Sequence, residues 1–257
     1  MATIDRDGVT IYYEHHVSKA QGESPTILLS HGYSATSAMW AGQVDALTAR
    51  HNLVIWDMRG HGLSDSPDDP AQYSEALTVG DMAAILDEEG VGHAIVGGLS
   101  LGGYMTLAFH LAYPDRCDAL MLFDTGPGYK NAEARQGWND TAEARAKAFE
   151  KDGLAALGQG REVRTSTHRS AGGLARAARG MLAQVDDRII QSLTSIAVPT
   201  LVLVGEEDKP FLVPTDYMSA KIPGATKVVI PAAGHASNID APAAFNEAVL
   251  SFTASIG

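Results

Sequence analysis

Ala94-Ile-Val-Gly-Gly-Leu-Ser-Leu-Gly-Gly103 decides the fold. A short apolar run with β-branched residues passes through a turn of small residues and straight into Leu101–Tyr113, whose apolar spacing is helical. A serine at the tip of such a strand-to-helix turn must take a strained backbone conformation. The residues two places either side of it must be small, or strand and helix cannot pack closely. Gly98 and Gly102 meet that demand around Ser100. The plainer reading is a glycine-rich turn with a buried serine. A phosphate-binding loop fails, because Gly102 is followed by Gly103-Tyr104 where Lys and Ser or Thr would be needed.

Outward from this turn, similar apolar runs occur at Thr26–Ser30, Asn52–Trp56, Ala119–Phe123, Thr200–Val204 and Lys227–Ile230. They alternate with helical stretches such as Ser74–Glu89 and Ala243–Phe252. Strands apolar on both faces and separated by helices predict an α/β class, a mostly parallel central sheet with helices on both faces. Val9–Glu14, preceded by Asp7-Gly8, reads as part of an antiparallel hairpin at an edge. The alternation stops after Gly126-Pro-Gly128, in a segment rich in Ala, Arg and Glu without a strand-like run. The expected organisation is one core in two parts, residues 1–124 and 191–257, with a helical insertion at 125–190.

The 257 residues carry a net charge of −12, 45% hydrophobic residues and one cysteine, Cys117. A single cysteine excludes an internal disulfide framework and a cysteine-based zinc site within one chain. The acidic balance argues against nucleic acid, which needs clustered Lys and Arg. No apolar run approaches a membrane span, and the charged opening residues lack the core of a secretory signal, so a soluble protein in the cytoplasm is expected. Oligomeric state is not readable. The charge is uneven: residues 128–190 hold 11 Lys and Arg against 8 Asp and Glu, whereas the remainder holds 8 against 23.

A serine hydroxyl is a weak nucleophile at neutral pH and needs a base, itself oriented by a carboxylate. Of the nine histidines, His31 and His61 sit in glycine-flanked turns and His110 lies within a helix, while His15, His16, His51, His93 and His168 read as surface or helix positions. His235 differs, since Pro231-Ala-Ala-Gly-His235 places it in a loop just after the last strand. Asp208 and Asp124 each follow a strand. The order Ser100, Asp208, His235 suits this turn on a parallel sheet, so Asp208 is preferred and Asp124 held in reserve. Acyl transfer also needs donors for the developing oxyanion. The backbone N–H of Leu101 supplies one, and His31-Gly-Tyr-Ser34 can supply that of Tyr33.

Together these motifs resemble the alpha/beta-hydrolase superfamily. The matching stretches are His31-Gly-Tyr33, Asp57-Met-Arg-Gly-His-Gly-Leu-Ser64, Gly98-Leu-Ser-Leu-Gly-Gly103, Gly205-Glu-Glu-Asp208 and Gly234-His235. The resemblance implies the alpha/beta-hydrolase fold with residues 125–190 as a helical cap, and a mainly structural part for Arg59-Gly-His-Gly62. Relatives that are haloalkane dehalogenases or epoxide hydrolases carry aspartate where Ser100 stands. Carboxylesterases, lactonases, carbon–carbon bond hydrolases and cofactor-free haloperoxidases remain, and the 3-oxoadipate enol-lactonase-like group looks most similar. Ala236 after His235 weakens the carbon–carbon reading, since an aromatic residue often stands there. The expectation is a serine hydrolase acting on a small ester or lactone, with no cofactor and no metal. A slow-turnover ligand sensor of the same fold is the non-enzyme alternative. Arg161, Arg164, Arg169, Arg176 and Arg179 could attract a carboxylate-bearing substrate, or simply line solvated helix faces.

Overall fold

A computed structural model describes residues 2–256. Its centre is an eight-stranded sheet in the order β1-β2-β4-β3-β5-β6-β7-β8. The strands are β1 (Ala2–Asp5), β2 (Thr10–His16), β3 (Thr26–Ser30), β4 (Asn52–Trp56), β5 (Ala94–Leu99), β6 (Cys117–Phe123), β7 (Thr200–Gly205) and β8 (Thr226–Ile230). The β1–β2 and β2–β4 pairs are antiparallel, which matches the expected edge hairpin, and all pairings among β3 to β8 are parallel.

The helices are α1 (Ala41–Leu47), α2 (Glu75–Glu88), α3 (Leu101–Ala112), α4 (Ala132–Asp152), α5 (Arg161–Arg164), α6 (Ala171–Ala177), α7 (Arg188–Ser192), α8 (Lys209–Lys221), α9 (Ser237–Asp240) and α10 (Pro242–Ser255). Local chemistry fixes several starts. Ser74, Asn131 and Ser170 accept the N–H groups of Leu77, Ala134 and Gly173 at 3.1, 2.9 and 2.9 Å, satisfying amides that the first turns of α2, α4 and α6 leave free. Helices α4 to α7 all lie between β6 and β7, and no strand interrupts them among the described residues. No helix among the described residues is long and apolar enough to cross a membrane.

The period of two along each strand divides the core. Ile27, Leu29, Ile95 and Leu99 join one apolar layer, while Leu28 and Val96 join the other. In the first layer Phe123 meets Phe245 edge-on at 4.7 Å and Trp40 lies 6.2 Å from Phe123. The chain runs from β3 to β4 on one side, then returns to β5 on the other. The connections leaving β3 and β5 therefore head toward opposite edges of the sheet, a switch point at which α/β folds place a crevice at the carboxyl ends of the strands. Phe245→Ala removes a fully buried ring between Trp40 and Phe123. It should cost about 3–5 kcal/mol, read as a lowered denaturant midpoint.

Candidate active site

Ser100 stands where β5 meets α3, with φ 56° and ψ −115°. The glycines around it have no room for a side chain. A Cβ on Gly98 would lie 2.4 Å from the Gly102 carbonyl carbon, and one on Gly102 would lie 2.1 Å from the Ser30 carbonyl oxygen. The strained residue is held by its own backbone groups: its N–H donates to the Phe123 carbonyl at 2.9 Å, and Thr125 Oγ1 donates to its carbonyl at 2.6 Å. No sequence signal marked Thr125, because its role depends on β6 ending beside β5.

His235 and Asp208 meet after β8 and β7. The imidazole Nδ1 donates to Asp208 Oδ2 at 2.7 Å, leaving Nε2 as the other ring nitrogen. Phe211 stacks on the imidazole at 5.0 Å and 25°. Burial lowers the His235 pKa, but the Asp208 hydrogen bond and charge, with Asp124 and Glu162, outweigh it and raise the pKa above the usual 6.5. Asp124 does not bond His235. Its Oδ1 accepts the Gly205 N–H at 2.8 Å and its Oδ2 the Ser237 hydroxyl, so it braces β7 against α9. Burial pushes its carboxyl up to about 7.

Ser100, His235 and Asp208 line one cavity of about 560 Å³, although no hydrogen bond joins Ser100 to His235 among the described residues. Tyr33 and Leu101 line it too. Among the described residues, neither the Tyr33 N–H nor the Leu101 N–H has a protein acceptor. A Cβ on Gly32 would be 3.4 Å from that of Ser100, so the loop after β3 runs directly against Ser100.

Three buried imidazoles surround that loop: His31, His61 and His168. His31 Nε2 accepts the Met58 N–H at 2.9 Å, while its Nδ1 donates to the Gly32 carbonyl at 2.7 Å. Burial holds the His31 pKa down at about 4 and lowers those of His61 and His168. The sequence reading of His168 as a surface or helix position is thus corrected. Its ring lies in the turn between α5 and α6, covered by the core loops. His51 and His110 are buried as well. Arg59, only 2% exposed, donates from Nε and Nη2 to the two Asp81 oxygens at 2.6 and 2.8 Å and does not line the cavity.

The arginines singled out from the sequence are mostly engaged elsewhere. Arg161 pairs with Asp240 at 3.0 Å, Arg176 with Asp68 at 2.9 Å, and Arg179 with Glu143 at 2.7 Å and with Glu150. Arg169 donates to the carbonyls of Gly62, Leu63 and Ser64. None of these, nor exposed Arg164, lines the cavity. The cation that does is Arg145 of α4, with Glu162 of α5 in the same lining. Apolar and aromatic side chains, including Tyr104, Trp138 and Leu182, make much of the remaining wall.

Similarity to known proteins agrees with this architecture. A protein provisionally named a carbamate hydrolase from Caulobacter sp. (strain K31) is 30% identical over 94% of this chain and 95% of its own length. The 3-oxoadipate enol-lactonase 2 of Acinetobacter baylyi is 27% identical over 91% of each chain. The crystal structure of the enol-lactonase from Burkholderia xenovorans LB400 superposes with a TM-score of 0.79 at 25% identity, covering 98% of this chain and 100% of that one. Residues 27–248 match the alpha/beta hydrolase family, and with the fold in agreement the chain belongs to that family.

Proposed function

We propose that the chain is a serine hydrolase that cleaves a small carboxylic ester or lactone through an acyl-enzyme intermediate on Ser100. The observation that carries this reading is the His235–Asp208 hydrogen bond of 2.7 Å at the cavity that also holds Ser100 on its strained turn. Asp208 holds the imidazole with its proton on Nδ1, so Nε2 is free to act as base. As substrate binds, the Ser100–His235 contact tightens. Ser100 Oγ then attacks the carbonyl carbon while its proton passes to Nε2. The N–H groups of Tyr33 and Leu101, which have no protein acceptor among the described residues, stabilise the resulting oxyanion. His235 returns the proton to the leaving alkoxide and next activates the water that releases the acid.

Residues 125–190 serve as a cap on this reading, since Gly128, Trp138, Arg145 and Leu182 complete the cavity wall from that segment. A volume of about 560 Å³ suits a small-molecule substrate. The names of the relatives support acyl chemistry at a lactone or a carbamate.

A panel of esters, lactones and carbamates of varied acyl length tests the reading. Multiple turnover is expected, with Ser100→Ala lowering kcat by at least about 10³-fold. Fluorophosphonate labelling of Ser100 without multiple turnover would instead indicate a ligand sensor. The pH profile tests the base. His235 must be neutral to take the proton and its pKa is raised, so kcat/KM should fall as pH drops through a value above 6.5. Asp208→Asn removes the main upward influence and should move that limb to lower pH, with kcat reduced by about 10⁴-fold. If Asp124→Asn produces that loss while Asp208→Asn is nearly silent, the acid is misassigned.

A further inference from the structure

We propose that His168, a residue of the insertion, is a positioning residue for the oxyanion loop. Its Nε2 proton holds the Ser34 carbonyl and so keeps the neighbouring Tyr33 N–H directed at Ser100. The inference rests on the reading of Tyr33 as an oxyanion donor.

Ser34 is the weak point of the loop after β3. It is a non-glycine residue at φ 57°, a left-handed conformation that persists only where its surroundings hold it. Both of its backbone polar groups are held by imidazoles from other parts of the chain. Its N–H donates to His61 Nε2 at 3.2 Å, and its carbonyl lies 3.0 Å from His168 Nε2. The two rings meet edge-on at 5.8 Å. The His168 tautomer follows from its partners. The Gly62 N–H, which can only donate, sits 3.2 Å from Nδ1, so Nδ1 accepts and the proton is on Nε2, facing the carbonyl.

The same loop has two further ties to the insertion. Tyr33 Oη donates to the Leu174 carbonyl at 2.8 Å, and Thr36 Oγ1 donates to Ser166 Oγ at 3.3 Å. These hold side chains. The His168 bond alone, of the three, restrains the backbone of the strained residue next to the proposed donor. The oxyanion hole is thereby a joint product of core and insertion, and displacing the turn between α5 and α6 would loosen it.

The competing view is that His168 merely anchors the insertion through Gly62. Two substitutions separate the contacts. The amide nitrogen of glutamine reaches the place of Nε2, so His168→Gln keeps a donor for Ser34. The amide oxygen of asparagine reaches the place of Nδ1, so His168→Asn keeps an acceptor for Gly62 and loses Ser34. Losing a whole oxyanion donor costs about 100-fold or more in kcat, so a misdirected one in His168→Asn should cost about tenfold, with KM within about twofold. Affinity for phenylboronic acid, whose tetrahedral adduct on Ser100 carries the oxyanion, should fall by the same factor of about ten. His168→Gln should recover most of both losses.

Melting curves check first that each variant is folded. An isotope-labelled His168 ring in the unsubstituted chain needs no variant, and its Nε2–H resonance should shift when the boronate binds. Asparagine behaving like wild type, glutamine failing to recover, or a resonance indifferent to boronate each overturns the inference alone. A wild-type chain that neither hydrolyses esters nor binds the boronate overturns the acyl-transfer reading, and this inference with it.

Discussion

β5 can turn into α3 across the single residue Ser100 only because nothing larger than hydrogen stands at Gly98 and Gly102. Those two positions bring the helix start against the carbonyls at the end of β3, and the chain between them is forced to φ 56°. Such a conformation costs about 1–3 kcal/mol and survives because the surroundings determine it. Here Phe123 holds the Ser100 N–H and Thr125 holds its carbonyl. The same close approach sets the loop after β3 directly against Ser100, with Gly32 as the point of contact. One steric demand therefore places both the proposed nucleophile and the loop that would stabilise its oxyanion.

That loop repeats the logic with different means. Ser34 is strained like Ser100, but it lies off the sheet, so no strand carbonyl is available to restrain it. Buried imidazoles take over. His31, His61 and His168 each accept one backbone N–H and donate to one backbone carbonyl, which satisfies polar groups that would otherwise be buried unpaired. Burial keeps all three neutral by lowering their pKa values. Neutral rings suit the task, because a protonated imidazole has no acceptor left for an amide.

Around His235 the environment gives different partners to the two carboxyl groups that the sequence offers as first choice and reserve. Asp208 faces the imidazole and bonds it, whereas Asp124 turns away to the Gly205 amide and the Ser237 hydroxyl. Burial raises the Asp124 pKa to about 7, while the Asp208 bond and charge raise that of His235. A titratable group shifted by burial and by a specific charge partner in a cleft marks a candidate acid–base site. The chemistry proposed for the cavity follows from the bond that Asp208, and not Asp124, makes to His235.

Much of this was legible in the residues alone. Gly98-Leu-Ser-Leu-Gly102 reports a steric requirement between adjacent elements, and strand runs such as Thr200–Val204 report burial on both faces, so the α/β fold and the Ser100 turn could be read from local pattern. The positions of Asp208 and His235 followed because loops after parallel strands open on the same edge of the sheet. The insertion was different. Its residues 161–179 look alike in sequence as scattered arginines, yet Arg161, Arg169, Arg176 and Arg179 are spent on partners at Asp240, the 62–64 carbonyls, Asp68 and Glu143, while Arg145 faces the cavity. His168, read as a surface or helix position, is buried against Ser34, more than a hundred residues away in the chain. By itself the sequence determined what short-range sterics and strand order control: the fold, the strained serine and the line of loops that could supply a site. Which arginine meets the cavity and which imidazole holds the loop were decided only in the tertiary structure. Each depends on a partner distant in the chain, whose approach no local pattern encodes.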